Sequence, residues 1–245
     1  MPEPQTARLR IAVVIPAWNE EESIDAVLAE LRRHAVHRII VADGGSHDAT
    51  VERAQAAGAE VLHPGPGYGR ACLKGAEAAA DCAIIVFMDG DGADDPANLW
   101  RLVAPVAAGE TDFALGSRWR GRAAKGSMAW HQHLAGLLLG FAIWLRYGQR
   151  YTDMCAFRVI RRDLLLDLDM REMTYGWNIE MQMKVAAAGL RVVELPVDNR
   201  RRIGGASKVA GSLKGSLKAG WRILRTFCRV AASPHTPRNK AMRTA

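Results

Sequence analysis

The sequence predicts an α/β fold, a mostly parallel sheet with helices on both faces, followed by a basic amphipathic helix at the C-terminus. Three observations lead there. Short apolar, β-branched runs ending in polar turns alternate through the first half with segments of helical spacing, and strict strand–helix alternation implies right-handed crossovers onto a parallel sheet. The length of 245 residues suits one large domain with a small addition. The 49% hydrophobic and 24% charged residues are those of an ordinary globular chain, which excludes disordered, collagen-like and disulfide-scaffold classes.

Each element has its own signal. Arg10 to Ala17 (RIAVVIPA), Arg38 to Asp43 (RIIVAD), Ala59 to His63, Cys82 to Asp89 (CAIIVFMD) and Asp112 to Ser117 are brief apolar runs bounded by turn residues, and read as buried strands. Ile24, Val27, Leu28 and Leu31 behind a Glu-rich turn, and Leu99, Leu102 and Val103 after Pro96, have helical spacing. The second half predicts a helix over Met128 to Tyr147, an extended segment Asp153 to Ile160, a helix Gly176 to Ala188 and a strand Leu190 to Val197. A basic helix from Val209 to Ala231 and a polar tail with two prolines, read as disordered, complete the chain.

Charge is unevenly distributed. Residues 1–115 hold 9 Lys and Arg against 18 Asp and Glu, whereas residues 116–245 hold 24 against 8. A basic half can attract nucleic acid, anionic lipid or a phosphorylated small molecule; no nucleic-acid-binding motif accompanies it, so no nucleic-acid partner is expected. The four cysteines at 72, 82, 155 and 228 form no C-x-x-C pair, which excludes a ribbon-type zinc site and a redox motif and fits a reducing compartment. MPEPQTARLR lacks the apolar core of a signal peptide. The longest apolar run, Leu134 to Leu145, has 12 residues, where a bilayer span needs roughly 20. The expected location is cytoplasmic, with peripheral contact at the inner membrane face.

Ligands of such sheets bind at the carboxyl ends of the strands, so the chemistry belongs in the turns. After the fourth strand comes MDGDGADDP. Asp89 and Asp91, two apart with a glycine between, can turn together toward one hard divalent ion that keeps coordination places for phosphate oxygens. Asp94 and Asp95 read as caps of the next helix. An EF-hand is excluded, because Ala93 and Trp100 stand at ligand positions. The turns PAWNEEE and DGGSHDAT, after the first and second strands, add amides, carboxylates and glycines to the same edge. Each taken alone could be helix capping; together they suit a nucleotide's base and ribose.

The ordered series IPAWNEEESI, VADGGSHDAT, GYGRACLKG, FMDGDGADDP, LGSRWRG, YTDMCAFRVIRR, YGWNIEMQMKVAAAGLRVVELPV and RRRIGGASK resembles the family 2 glycosyltransferases of GT-A fold, a Rossmann-like mostly parallel sheet. It is most similar to the polyprenyl-phosphate sugar synthases related to dolichyl-phosphate mannosyltransferase. The resemblance implies a GT-A domain over 1–208, with a nucleotide-sugar half at about 8–118 and an acceptor half at 119–208. The amphipathic helix at 209–232 and the tail at 233–245 lie beyond it. It implies inverting transfer of a hexose from a UDP- or GDP-sugar, with Mg²⁺ or Mn²⁺ held by Asp89 and Asp91 on the diphosphate. It further implies that Pro16, Asn19, Glu20 and Asp43 line the base and ribose pocket, and that Lys74 helps hold the nucleotide. Arg118 would meet a phosphate, the acceptor's, and Arg202, Ser207 and Lys208 would close over the diphosphate, a task that suits arginine's fork of donors. Asp91, Asp153 and Glu180 are the candidate catalytic carboxylates, although a structural salt bridge explains Asp153 and Glu180 equally well. Two departures leave donor base and sugar open. Asp43 is followed by Gly44 where relatives commonly carry two aspartates, and Ala93 stands where mannosyltransferases often have glutamine.

The C-terminal helix has an apolar stripe, Leu213, Leu217, Trp221, Leu224 and Cys228, and a basic column one residue later, Lys214, Lys218, Arg222, Arg225 and Arg229. It can dock on the core by its stripe, or lie on anionic lipid with Trp221 in the headgroup zone. A lipid phosphate is the expected acceptor. A soluble hydroxyl acceptor and a nucleotidyltransferase that forms the sugar nucleotide are the alternatives.

Overall fold

The computed structural model describes residues 9–121, 130–204 and 213–233. Seven strands, β1 (Ile11–Ala17), β2 (Arg38–Asp43), β3 (Glu60–Leu62), β4 (Ile84–Phe87), β5 (Phe113–Ser117), β6 (Arg158–Arg161) and β7 (Val192–Pro196), form one sheet in the order β3-β2-β1-β4-β6-β5-β7. β1 pairs in parallel with β2 and β4, β2 with β3, and β5 with β7. The helices are α1 (Ile24–Leu31), α2 (Thr50–Ala56), α3 (Tyr68–Ala78), α4 (Leu99–Ala107), α5 (Trp130–Tyr147), α6 (Arg162–Asp167), α7 (Trp177–Ala187) and α8 (Leu213–Ala232).

Near-continuous burial along β1 and β4 follows from their position in mid-sheet, covered on both faces. Val14 and Ile15 of β1 lie in register with Ile40 and Val41 of β2, and Val13 and Val14 with Val86 and Phe87 of β4. All of them are buried in a core from which water is excluded, each large side chain contributing about 1.5–3 kcal/mol. Two features depart from the expected alternation. β6 is antiparallel to both β4 and β5 and sits between them. It is also shorter than the extended segment expected, because residues before Arg158 serve as acceptors and donors elsewhere. The N–H groups of Thr152 and Asp153, for instance, donate to the Glu194 carboxylate at 2.9 and 3.1 Å.

The parallel order brings the carboxyl ends of β1, β2 and β4 to one edge. α3 starts at that edge too, and two glycines allow it. Gly67 has φ +126°, and a Cβ there would lie 2.4 Å from the Met173 carbonyl oxygen; at Gly69 it would lie 2.2 Å from that of Glu172. Arg70 N–H donates to the Met173 carbonyl at 3.0 Å, fixing this close approach.

α8 packs on α7, but not by the described part of the stripe read from the sequence, Leu213 and Leu217 lying among residues whose side chains are not described. Ala219, Thr226 and Val230 are buried, while Trp221, Leu224 and Cys228 face solvent. Among the described residues no helix is long and apolar enough to cross a membrane. The tail expected to be disordered lies, beyond Ser233, outside the described residues.

Candidate active site

Between the strand ends and the α7–α8 side lies a cleft of about 780 Å³. Its floor is built by two turns laced together. Asn19 takes a left-handed conformation, φ 54°, which asparagine tolerates better than most residues. Its N–H donates to Ser46 Oγ at 2.8 Å and its Oδ1 accepts from His47 N–H at 2.9 Å. Glu20 N–H donates to Thr50 Oγ1 at 2.8 Å. Asp43, nearly buried at the end of β2, accepts from the N–H groups of Gly45 and Ser46 at 3.0 and 3.1 Å. Asn19 and Asp43 thus shape the floor from beneath, and Pro16, Trp18, Glu20, Gly44, Gly45 and His47 present its surface.

The acidic turn closes the deep end. Asp89 and Asp91 both line the cleft. Tyr68 O–H donates to Asp89 Oδ1 at 3.2 Å. Asp89 N–H donates to Asp94 Oδ2 at 3.1 Å, and Ala93 N–H to Asp91 Oδ1 at 2.8 Å. Burial, then the neighbouring charges of Asp91 and Asp94, push the Asp89 carboxyl up to about 8; burial likewise raises Asp94 to about 6. Asp95 is the cap expected of it, accepting from Ala97 N–H at 2.9 Å. Asp94 is not a cap, because its carboxylate is turned inward to the Asp89 N–H.

Asp89 and Asp91, side by side at the deep end, have the oxygen chemistry that could hold a hard divalent ion. Burial first, and then the carboxylates beside them, disfavour the charged forms of Asp89 and Asp94, a cost that a bound cation would relieve. No group of three or more His, Cys, Asp or Glu is arranged to hold a metal among the described residues, so Asp89 and Asp91 can supply only part of a coordination shell, the remainder falling to a ligand's oxygens.

The segment 199–204 runs along the acidic turn. Arg200 N–H donates to the Ala93 carbonyl at 2.9 Å, and Ile203 N–H to that of Asp91 at 3.0 Å. Arg202 Nη2 lies 2.8 Å from Asp91 Oδ2 and faces the cleft. Arg200 is a clamp, pairing with Glu30 at 2.8 Å and Asp95 at 2.6 Å. Ser207 and Lys208 fall outside the described residues.

The remaining candidates do not line the cleft. Lys74, on α3, is 54% exposed and pairs with Glu77; the residue of GYGRACLKG that reaches the acidic turn is Tyr68. Arg118 makes a bidentate pair with Asp153, Nε and Nη2 each 2.7 Å from an oxygen. Burial opposes the Asp153 charge, but the Arg118 guanidinium and the N–H groups of Arg118 and Met154 outweigh it and hold the carboxyl below its ordinary range. Glu180 is 0% exposed. It accepts from the N–H groups of Arg171 and Glu172 at 3.0 and 2.6 Å and pairs with Lys184 and Arg229, each at 3.2 Å. Both carboxylates thus have the salt bridges offered as their structural explanation. The cleft's other wall uses residues the sequence did not single out: Tyr175 and Asn178 at the start of α7, and Ala219 and Ile223 of α8.

Comparison with known proteins identifies the family and the fold. The pattern described as Glycosyl transferase family 2 matches residues 12–168. An uncharacterized glycosyltransferase of Mycobacterium tuberculosis is 38% identical over 219 residues, 87% of this chain and 97% of that protein. The undecaprenyl-phosphate mannosyltransferase of Micrococcus luteus is 31% identical over 243 residues, 89% of this chain and 98% of that protein. Among solved structures, glucosyl-3-phosphoglycerate synthase from M. tuberculosis, in complex with Mn²⁺, UDP and glucosyl-3-phosphoglycerate, superposes with TM-score 0.73 at 24% identity, covering 94% of this chain and 82% of that one.

Proposed function

The chain belongs to glycosyl transferase family 2, a nucleotide-sugar-dependent transferase of GT-A fold, and on that premise we propose that it moves a hexose, with inversion, from a nucleoside-diphosphate sugar to a polyprenyl phosphate. Transfer from a sugar nucleotide replaces the alternative in which the protein forms one. The observation that carries the reading is the pair Asp89 and Asp91 at the deep end of the cleft with Arg202 beside them.

Asp89 and Asp91 would hold Mg²⁺ or Mn²⁺; a divalent ion there neutralises the charge that develops on the departing diphosphate. The fold relative in complex with Mn²⁺ and UDP supports a metal of this class. Arg202 is placed to share that task, and Tyr68 orients Asp89 through its hydroxyl. Pro16, Trp18, Glu20 and the Gly44–Gly45 turn form the surface against which base and ribose would lie, which supports reading residues from about 8 to 118 as the nucleotide-sugar half.

A phosphate-monoester acceptor is anionic at neutral pH and needs little help from a base. Asp153, held ionised by Arg118, is then better suited to orienting that arginine toward a phosphate than to accepting a proton. The undecaprenyl-phosphate mannosyltransferase relative supports the lipid acceptor. A soluble acceptor, as in the synthase of similar fold, is the second reading. A panel of UDP- and GDP-sugars, each offered with polyprenyl phosphate and with soluble phosphorylated and hydroxyl acceptors, decides. Transfer to polyprenyl phosphate in the presence of Mg²⁺ or Mn²⁺ is expected; transfer only to soluble acceptors would overturn the lipid assignment.

A further inference from the structure

α8 docks on the core by one apolar face, Ile223, Phe227 and Val230, and leaves a second apolar face outside. Its buried positions are occupied by Ala219, Thr226 and Val230, and its outer face by Trp221 and Leu224, 69% and 51% exposed. The cause lies in the ion pairs beneath it. Arg222 Nε donates to Thr174 Oγ1 at 2.9 Å, and Arg229 pairs with Glu180 at 3.2 Å. Thr226 O–H donates to Glu172 at 3.0 Å. These bonds turn Arg222 and Arg229 toward the cleft wall and fix the rotation of the helix, so Trp221 and Leu224 are left outside with Arg225 beside them. A folded chain rarely presents tryptophan and leucine in a row without a partner for them.

We propose that this outer face of α8 seats on an anionic bilayer surface, while the inner face, through Ala219 and Ile223, forms a wall of the cleft. Charge selects the occupant. The 20 residues of α8 include no Asp or Glu, and α5, which exposes Leu138, Phe141 and Leu145 at helical spacing, includes none either. Such a helix, with a tryptophan at the polar–apolar boundary and cations at its rim, is built for the interface of a bilayer containing acidic lipid. A second copy of the chain on the same face would set Arg225 against Arg225 across a two-fold axis, with no acidic residue on the helix to relieve it. The inference goes beyond the proposed transfer, because a surface-bound enzyme could still use a soluble acceptor.

The test reads vesicle binding without any sugar transfer. Full-length protein is sedimented with phosphatidylcholine vesicles lacking or containing phosphatidylglycerol, and compared with the double variant Trp221→Ser/Leu224→Ser and with Arg225→Glu. The wild type is expected to bind the anionic vesicles, with the double variant losing roughly tenfold or more in partitioning and Arg225→Glu roughly fivefold or more, at unchanged melting temperature. Arg225→Glu keeps the test open if the double variant does not fold. Absence of wild-type binding, equal binding by both folded variants, or a wild-type dimer that either variant converts to monomer would overturn the proposal.

Discussion

At the floor of the cleft the carboxylates of Asp89, Asp91 and Asp94 crowd one another, and among the described residues Arg202 pairs with one of them, Asp91. Beneath its α8 wall Glu172 and Glu180 are also buried, yet Glu180 meets Lys184, Arg229 and two backbone N–H groups, and Glu172 meets Thr174 and Thr226 hydroxyls and nearby arginines. The consequences have opposite sign. Burial raises Asp89 to about 8; burial also opposes the Glu172 charge, but the hydroxyls of Thr174 and Thr226 outweigh it and leave its pKa lowered. Buried charge that is met locally holds a structure together, whereas buried charge left in excess marks where a ligand must supply the balance.

The largest effect that could break this contrast is expected at Asp89. Asp89→Asn should reduce turnover roughly a hundredfold or more, since it removes a ligand of the ion proposed to neutralise the leaving diphosphate. The same substitution should stabilise the metal-free protein. With a folded-state pKa of about 8 against an unfolded value of about 3.9, ionisation of Asp89 opposes folding, so the metal-free wild type loses stability as pH rises from about 4 toward 8. The variant should lack that loss. Melting temperature against pH in EDTA, beside turnover with metal, measures both; an Asn variant that is fully active, or less stable than wild type at pH 8, would show that the floor is ordinary structure.

Glu180→Gln is the matching change at the wall, and smaller. It leaves Lys184 without its buried counter-charge and Arg229 with only Glu172, and because both cations retain access to water the cost should be about 2 kcal/mol, a fall in melting temperature of about 4–8 °C for a chain of this size. Turnover in the folded fraction should drop far less than for Asp89→Asn. If Glu180→Gln left stability untouched and abolished turnover, the carboxylate would belong with the catalytic group and the contrast would fail.

The floor was legible in the sequence and the wall was not, for a physical reason. MDGDG at the end of an apolar strand, and the Asn and Asp of the first two turns, act over a few residues through backbone N–H groups, and local chemistry of that kind is written in local sequence. The wall depends on pairings such as Glu180 with Arg229 and Gly69 against the Glu172 carbonyl, far apart in the chain and without periodic signature. α8 shows the limit most clearly. Its stripe is plainly periodic, and periodicity names a face without saying what covers it; ion pairs from α7 and the segment before it decide that Trp221 and Leu224 look outward. The antiparallel β6 escaped for a similar reason, since a short apolar run is the same in either direction and its neighbours are set by the sheet.

The finest division falls within one helix. GYGRACLKG drew attention to Lys74, yet that side chain points away from the cleft and pairs with Glu77 on the helix surface, while Tyr68 at the first turn reaches Asp89. An exposed ion pair of this kind contributes little, so Lys74→Met should change stability by no more than about 0.5 kcal/mol and leave the donor KM unchanged. Tyr68→Phe removes a hydrogen bond to a carboxylate of the proposed metal site, and should weaken Mn²⁺ binding several-fold for a bond of about 1–2 kcal/mol without lowering the melting temperature appreciably. Mn²⁺ titration followed by electron paramagnetic resonance, with donor KM measured on the same samples, separates the two positions. A larger effect at Lys74 than at Tyr68 would mean that α3 presents its middle, and not its N-terminus, to the nucleotide.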